Sequence, residues 1–137
     1  MKTKNLIASS LIALSVILPV QAQTIASKIE SLGEARYVKV VGLMGKERNG
    51  FLVVQAELSN SDSSAQKIYW RVKWLDADGF QVWDDEAWKP MTIHGNARQN
   101  IMATAPTPKA RDFRIQYNAE ANWSNMPANS QPGAINN

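Results

Sequence analysis

From Arg36 onward, apolar and polar residues alternate with a period of two, the repeat of a half-buried β-strand. Residues 37–44 (YVKVVGLM) predict a first strand and 45–50 (GKERNG) a turn, with Asn49–Gly50 as a strong hairpin signal. Residues 51–59 place Leu52, Val54, Ala56 and Leu58 on one face, and 60–64 (NSDSS) predict a loop. The longest strand spans 65–76, with Ile68, Trp70, Val72 and Trp74 on one face. Further short strands are expected at 80–83 (FQVW), 91–95 (MTIHG), 97–105 and 110–117, the last with Phe113, Ile115 and Tyr117 on one face. About seven short strands, regular turn signals and no long helical pattern predict an antiparallel β-sandwich of immunoglobulin-like kind, with a closed barrel as the alternative.

Four of the five tryptophans, Trp70, Trp74, Trp83 and Trp88, fall within WRVKWLDADGFQVWDDEAW (70–88). The turn DADG (76–79) admits two registers. A plain four-residue loop points Gln81 into the core and turns Phe80 and Val82 outward. A turn ending in a bulge with Gly79 in the left-handed conformation pairs Asp76 with Phe80 and sets Val82 opposite Trp74. Burying an unpaired amide costs roughly 1–3 kcal/mol, and glycine suits the bulge. The second register is therefore expected, with Trp70 and Trp74 in the core and Phe80 on the same inner face. It puts Trp83 opposite Lys73, on the outward face with Tyr69, Arg71 and Leu75, where an outward Trp against Arg71 and Lys73 sets up a cation–π contact. Tyr69, Arg71, Lys73, Trp83 and Trp88 are the candidate binding surface.

The N-terminus predicts a leader. Lys2 and Lys4 precede an apolar run from Leu6 to Ile17, and Val20 and Ala22 supply the small residues of a cleavage site before Gln23. The leader holds two of the 15 basic residues and none of the 12 acids, so the remaining chain is close to neutral, at +1. Acids and bases interleave without a long basic run, and nucleic acid is not an expected partner. The organisation expected is a signal peptide at 1–22, a lead-in at 23–35, a sandwich at 36–117 and a disordered tail at 118–137 rich in Asn, Ala, Ser and Pro. No cysteine is present, which excludes disulfides, thiolate chemistry and lipid attachment through cysteine.

Catalytic and metal signatures are absent from the sequence. His94 is the single histidine and has no sequence-level partner, and no nucleophile motif occurs. The acids Asp76, Asp78, Asp84, Asp85 and Glu86 fail as an EF-hand, because the twelfth position from Asp76 is Ala87. Turn chemistry accounts for Asp76 and Asp78 without a metal. Residues 122–124 (NWS) fit a glycosylation acceptor within the expected tail.

The stretch YWRVKWLDADGFQV, then KPMTIHG and IMATAP, resembles the YcfL-type small envelope proteins of Gram-negative bacteria, through Trp70, Val72, Trp74, Asp76, Gly79, Pro90, Thr92, Ile93, Ala105 and Pro106. The resemblance covers roughly residues 36–117. It implies a periplasm-facing sandwich without enzymatic activity. Members of that family often carry a cysteine directly after the leader; here Gln23 stands there. The expectation is thus a soluble periplasmic module with no cofactor, metal or stable membrane anchor after leader cleavage, mediating contact with an envelope protein. The contact would use the hairpin's outward face or an exposed sheet edge. The alternative is a carbohydrate-binding module using exposed Trp83 and Trp88.

Overall fold

The computed structural model describes residues 25–119. The expected leader, Trp123, the NWS site and all but two residues of the expected tail lie outside them. A 3-10 turn, Ile25–Lys28, is followed by seven strands: β1 Ile29–Ser31, β2 Val38–Arg48, β3 Phe51–Asn60, β4 Gln66–Leu75, β5 Lys89–Ile93, β6 Arg98–Thr104 and β7 Asp112–Ala119. They form two sheets, one in the order β1-β7-β4-β5 and the other β2-β3-β6. This is the expected all-β sandwich, with one parallel pair, β1 with β7, among antiparallel neighbours.

The inward faces follow the period-two pattern. Val54, Ala56 and Leu58 of β3 meet Ile68, Trp70, Val72 and Trp74 of β4 and Phe113, Ile115 and Tyr117 of β7 in one core. Tyr117 also links the sheets, its hydroxyl donating to the Val38 carbonyl of β2. The β2–β3 hairpin closes on Asn49 and Gly50 alone, both with positive φ, as the tight two-residue turn requires. Residues 45–48, expected in the turn, pair as strand with Phe51–Val54.

Two boundaries move. The lead-in is not outside the fold: β1 lies along β7, and the 3-10 turn is tied to β7 where Lys28 Nζ donates to Asp112. At the other end β7 runs through Asn118 and Ala119, two residues past the expected close of the sandwich, with Asn118 buried. The third difference concerns 80–83. The residues FQVW make one isolated bridge, Leu75 with Gln81, and then leave the sheet. Seven strands result because β1 replaces the expected FQVW strand.

The N-terminal tie is pH-dependent. Partial burial pushes the Asp112 carboxyl up, but hydrogen bonds from Lys28, Arg114 and the Phe113 N–H outweigh it and hold the group below its ordinary value. A lowered folded-state pKa contributes stability that is present above the unfolded value, about 3.9, and is lost as pH falls through the folded one. Asp112→Asn is therefore expected to lower the urea midpoint at pH 7 and to flatten its decline below about pH 4. Parallel declines in the two proteins would refute a role for this carboxylate.

Candidate functional site

The turn after β4 has the bulged register. Asp76 N–H donates to the Phe80 carbonyl at 2.8 Å, Val82 N–H donates to the Trp74 carbonyl at 3.0 Å, and Gly79 has φ +88°. Asp76 itself builds the turn, since its Oδ1 accepts from the N–H groups of Asp78 and Phe80, each at 2.9 Å. Its carboxylate thus serves the local backbone, the chemistry that favours Asp in turns. Val82 packs against the core as expected. Phe80 does not: it sits in the turn itself, outside the core cluster, and is 71% exposed.

Beyond Val82 the loop is fastened on both sides of β4. Towards the core, Trp74 Nε1 donates to Glu86 Oε1 at 2.7 Å, and Lys89 Nζ holds Glu86 Oε2 at 2.9 Å. Lys89 also lies 4.7 Å above the Trp70 ring. On the outward face, Arg71 is the centre. Its Nε donates to Gln116 Oε1 at 2.6 Å, and Gln116 Nε2 donates on to Glu30 Oε2 at 2.6 Å, crossing β4, β7 and β1. Its Nη2 pairs with Asp85 at 3.0 Å, and its guanidinium lies 4.5 Å from the centre of the Trp88 ring. A partly buried Arg hydrogen-bonded to several partners and set over an aromatic face is worth more than a rim ion pair. The loop thereby covers Arg71–Leu75, the part of β4 that β5 leaves unpaired, which protects an otherwise open sheet edge.

The candidate surface is therefore divided. Trp70 and Trp74 are buried, as expected. Arg71 stacks on Trp88, where Trp83 was the expected partner, because the chain has left β4 before Trp83 can sit opposite Lys73. Trp88 is half-buried under that guanidinium. Leu75, expected on the outward face, is buried at the end of the strand. Tyr69 stays on the outward face with Lys67 over its ring at 5.6 Å, and Lys73 stands half-exposed opposite Arg114. Trp83 alone of these tryptophans is exposed, at 47%, over a shallow depression it shares with Gln81, Val82 and Asp84.

Residues 21–118 match the family DUF1425, described as a protein of unknown function. The chain belongs to the DUF1425 family. No curated protein matches it. Among solved structures it is similar to the Campylobacter jejuni protein cj0090, at 22% identity and TM-score 0.56 over 68% of this chain and 98% of that one. It is also similar to a DUF1425 member from Shewanella sp. pv-4, at 20% identity and TM-score 0.55 over 63% of this chain and 83% of the other. These likenesses share the fold.

Two features of this DUF1425 domain escaped the sequence reading. The segment 60–64 is a structured knot, where buried Asn60 donates through Nδ2 to the carbonyls of Ser64, Ile93 and His94 and accepts the Asp62 N–H. His94 is exposed, and what the fold uses is its carbonyl. The second feature is the outward face of the β2–β3–β6 sheet. Register places Met44, Gln55 and Met102 in one row, Lys46, Val53 and Thr104 in the next, and Arg48 beside Phe51. Towards the other end come Glu57 with Asn100, then Lys39, Ser59 and Arg98. Among the described residues, no group of three His, Asp or Glu side chains is placed to hold a metal, and no helix is long and apolar enough to cross a membrane.

Proposed function

We propose that this chain is a non-catalytic envelope module of the YcfL type, exported to the periplasm, and that it acts by protein contact through the Asp76–Trp88 loop. The observation that carries this reading is the loop's construction. Phe80 and Trp83 are held in solvent on a segment whose far end is anchored to Trp74, Lys89 and Arg71. Exposed aromatics on a pre-organised loop are the kind of anchor that dominates protein interfaces, and holding the loop in advance lowers the entropy cost of binding. A sugar platform needs Trp83 and Trp88 presented together, and the Arg71 guanidinium over Trp88 favours protein contact instead.

The test is recovery of a periplasmic partner by tagged wild-type protein and by a Phe80→Ser/Trp83→Ala variant. The double variant is expected to lose about 2 kcal/mol or more of binding free energy with an unchanged melting temperature. Arg71→Ala is expected to weaken binding less, and to make the loop more sensitive to protease, since it loosens the segment without removing its contacts. Recovery of the same partner at the same level by the double variant would end this reading.

A further inference from the structure

The outward face of the β2–β3–β6 sheet combines bare apolar side chains with unpaired cations. Met44 and Met102 are 62% and 64% exposed. Lys46 and Arg48 stand in the adjoining rows, beside Val53 and the exposed Phe51, and line a shallow depression with the two methionines. Neither cation forms an ion pair among the described residues. Lys39 and Arg98 add two more positive charges, and the one acid on the face, Glu57, is taken by Arg98. Four cations thus face one carboxylate across a centre made of methionine, whereas the chain after its expected leader carries only +1.

We propose that this face is a peripheral docking surface for an anionic lipid bilayer. The outward side chains of a sheet lie in one layer, so the methionine side chains and the aliphatic stems of Lys46 and Arg48 meet the headgroup boundary together. The ammonium and guanidinium groups stay among the lipid phosphates. A soluble polyanion would satisfy the cations and leave the methionines in water, whereas an anionic bilayer uses both. Attraction of this kind adds with each cation near the surface and is screened within a Debye length. The face belongs to the sheet opposite the one that carries the Phe80 and Trp83 loop, so the two surfaces are separable by mutation.

Protein beginning at Gln23, which keeps every described residue, is sedimented with vesicles of phosphatidylcholine containing roughly one-third phosphatidylglycerol, and with vesicles of phosphatidylcholine alone. Binding is expected only to the anionic vesicles, and it should weaken as salt rises. Lys46→Glu/Arg48→Glu should lower the association constant about tenfold or more. Met44→Ser/Met102→Ser should lower it to a similar degree while the salt dependence stays. All four positions are exposed, and thermal melts check that the variants fold; Lys46→Gln/Arg48→Gln serves if charge reversal disturbs β2. Phe80→Ser/Trp83→Ala should leave vesicle binding unchanged. Equal sedimentation with neutral vesicles would overturn the proposal, and so would vesicle binding indifferent to the charge variants. Equally tight binding to polyglutamate or duplex DNA, with no effect of the methionine variants, would assign the face to a soluble polyanion instead.

Discussion

Replacing Gly95 with alanine is expected to destabilise the sandwich by about 3 kcal/mol or more, lowering its melting temperature by roughly 12 °C or more. A Cβ at this position would lie 1.8 Å from the Ser63 carbonyl oxygen and 2.4 Å from its carbon. Both atoms are backbone, so no rotamer change relieves the clash, and the 60–64 segment must move. That segment is the knot between the sheets. Asn60 closes β3 and holds the carbonyls of Ser64, Ile93 and His94, while Asn60 N–H donates to Ala97 and Asn96 N–H to Asp62. Each bond is worth about 1 kcal/mol net, and a buried group left without its partner costs more. Ser63→Ala in the same chain should not rescue stability, because the clash is with the main chain. A Gly95→Ala protein melting within about 2 °C of wild type would mean the segment yields freely, and the knot would lose its structural meaning.

That knot shows where the sequence was silent. NSDSS has the composition of a solvated loop, and nothing local reveals that Asn60 would be buried and bonded to the end of β5, more than thirty residues on. The inward faces of β3, β4 and β7 were legible for the opposite reason. Alternation along a strand is a local pattern, and one buried face per sheet leaves a single way to satisfy it. The bulge at Gly79 was legible too, because the two registers differ by the cost of burying Gln81. The same register arithmetic failed for Phe80 and again for Trp83. It fixes partners only while the chain stays in the sheet, and Asp76 holds Phe80 in the turn while Glu86, Asp85 and Trp88 draw the following loop off β4. β1 was missed because three residues, Ile29–Ser31, carry no readable period and pair in parallel with a strand over eighty residues away. The basic face was hidden similarly: Lys39, Lys46, Arg48 and Arg98 form no run, and only register brings them together.

Trp74→Ala is expected to cost about 3–5 kcal/mol, a large share of the stability of a domain this size, and to shift the urea midpoint without changing the slope much. Trp74 is the largest fully buried side chain among the described residues, packed between the sheets. Its loss combines a cavity with the loss of the Nε1–H donated to Glu86. Trp74→Phe separates the two contributions. The smaller aromatic keeps most of the packing and removes the donor, so it should cost about 1–2 kcal/mol. Glu86 then keeps Lys89 as its partner, but the loop loses its tie to the core. Trp74→Phe should therefore expose the 80–88 segment to limited proteolysis well before global unfolding, and should weaken whatever contact Phe80 and Trp83 make. Glu86→Gln retains an acceptor for the indole and gives up the ion pair with Lys89, whose head is half-exposed, so a smaller effect is expected there. Loop cleavage in Trp74→Phe no faster than in wild type would show that the indole bond does not hold the loop. The buried tryptophan would then be a core residue alone, with no part in presenting Trp83.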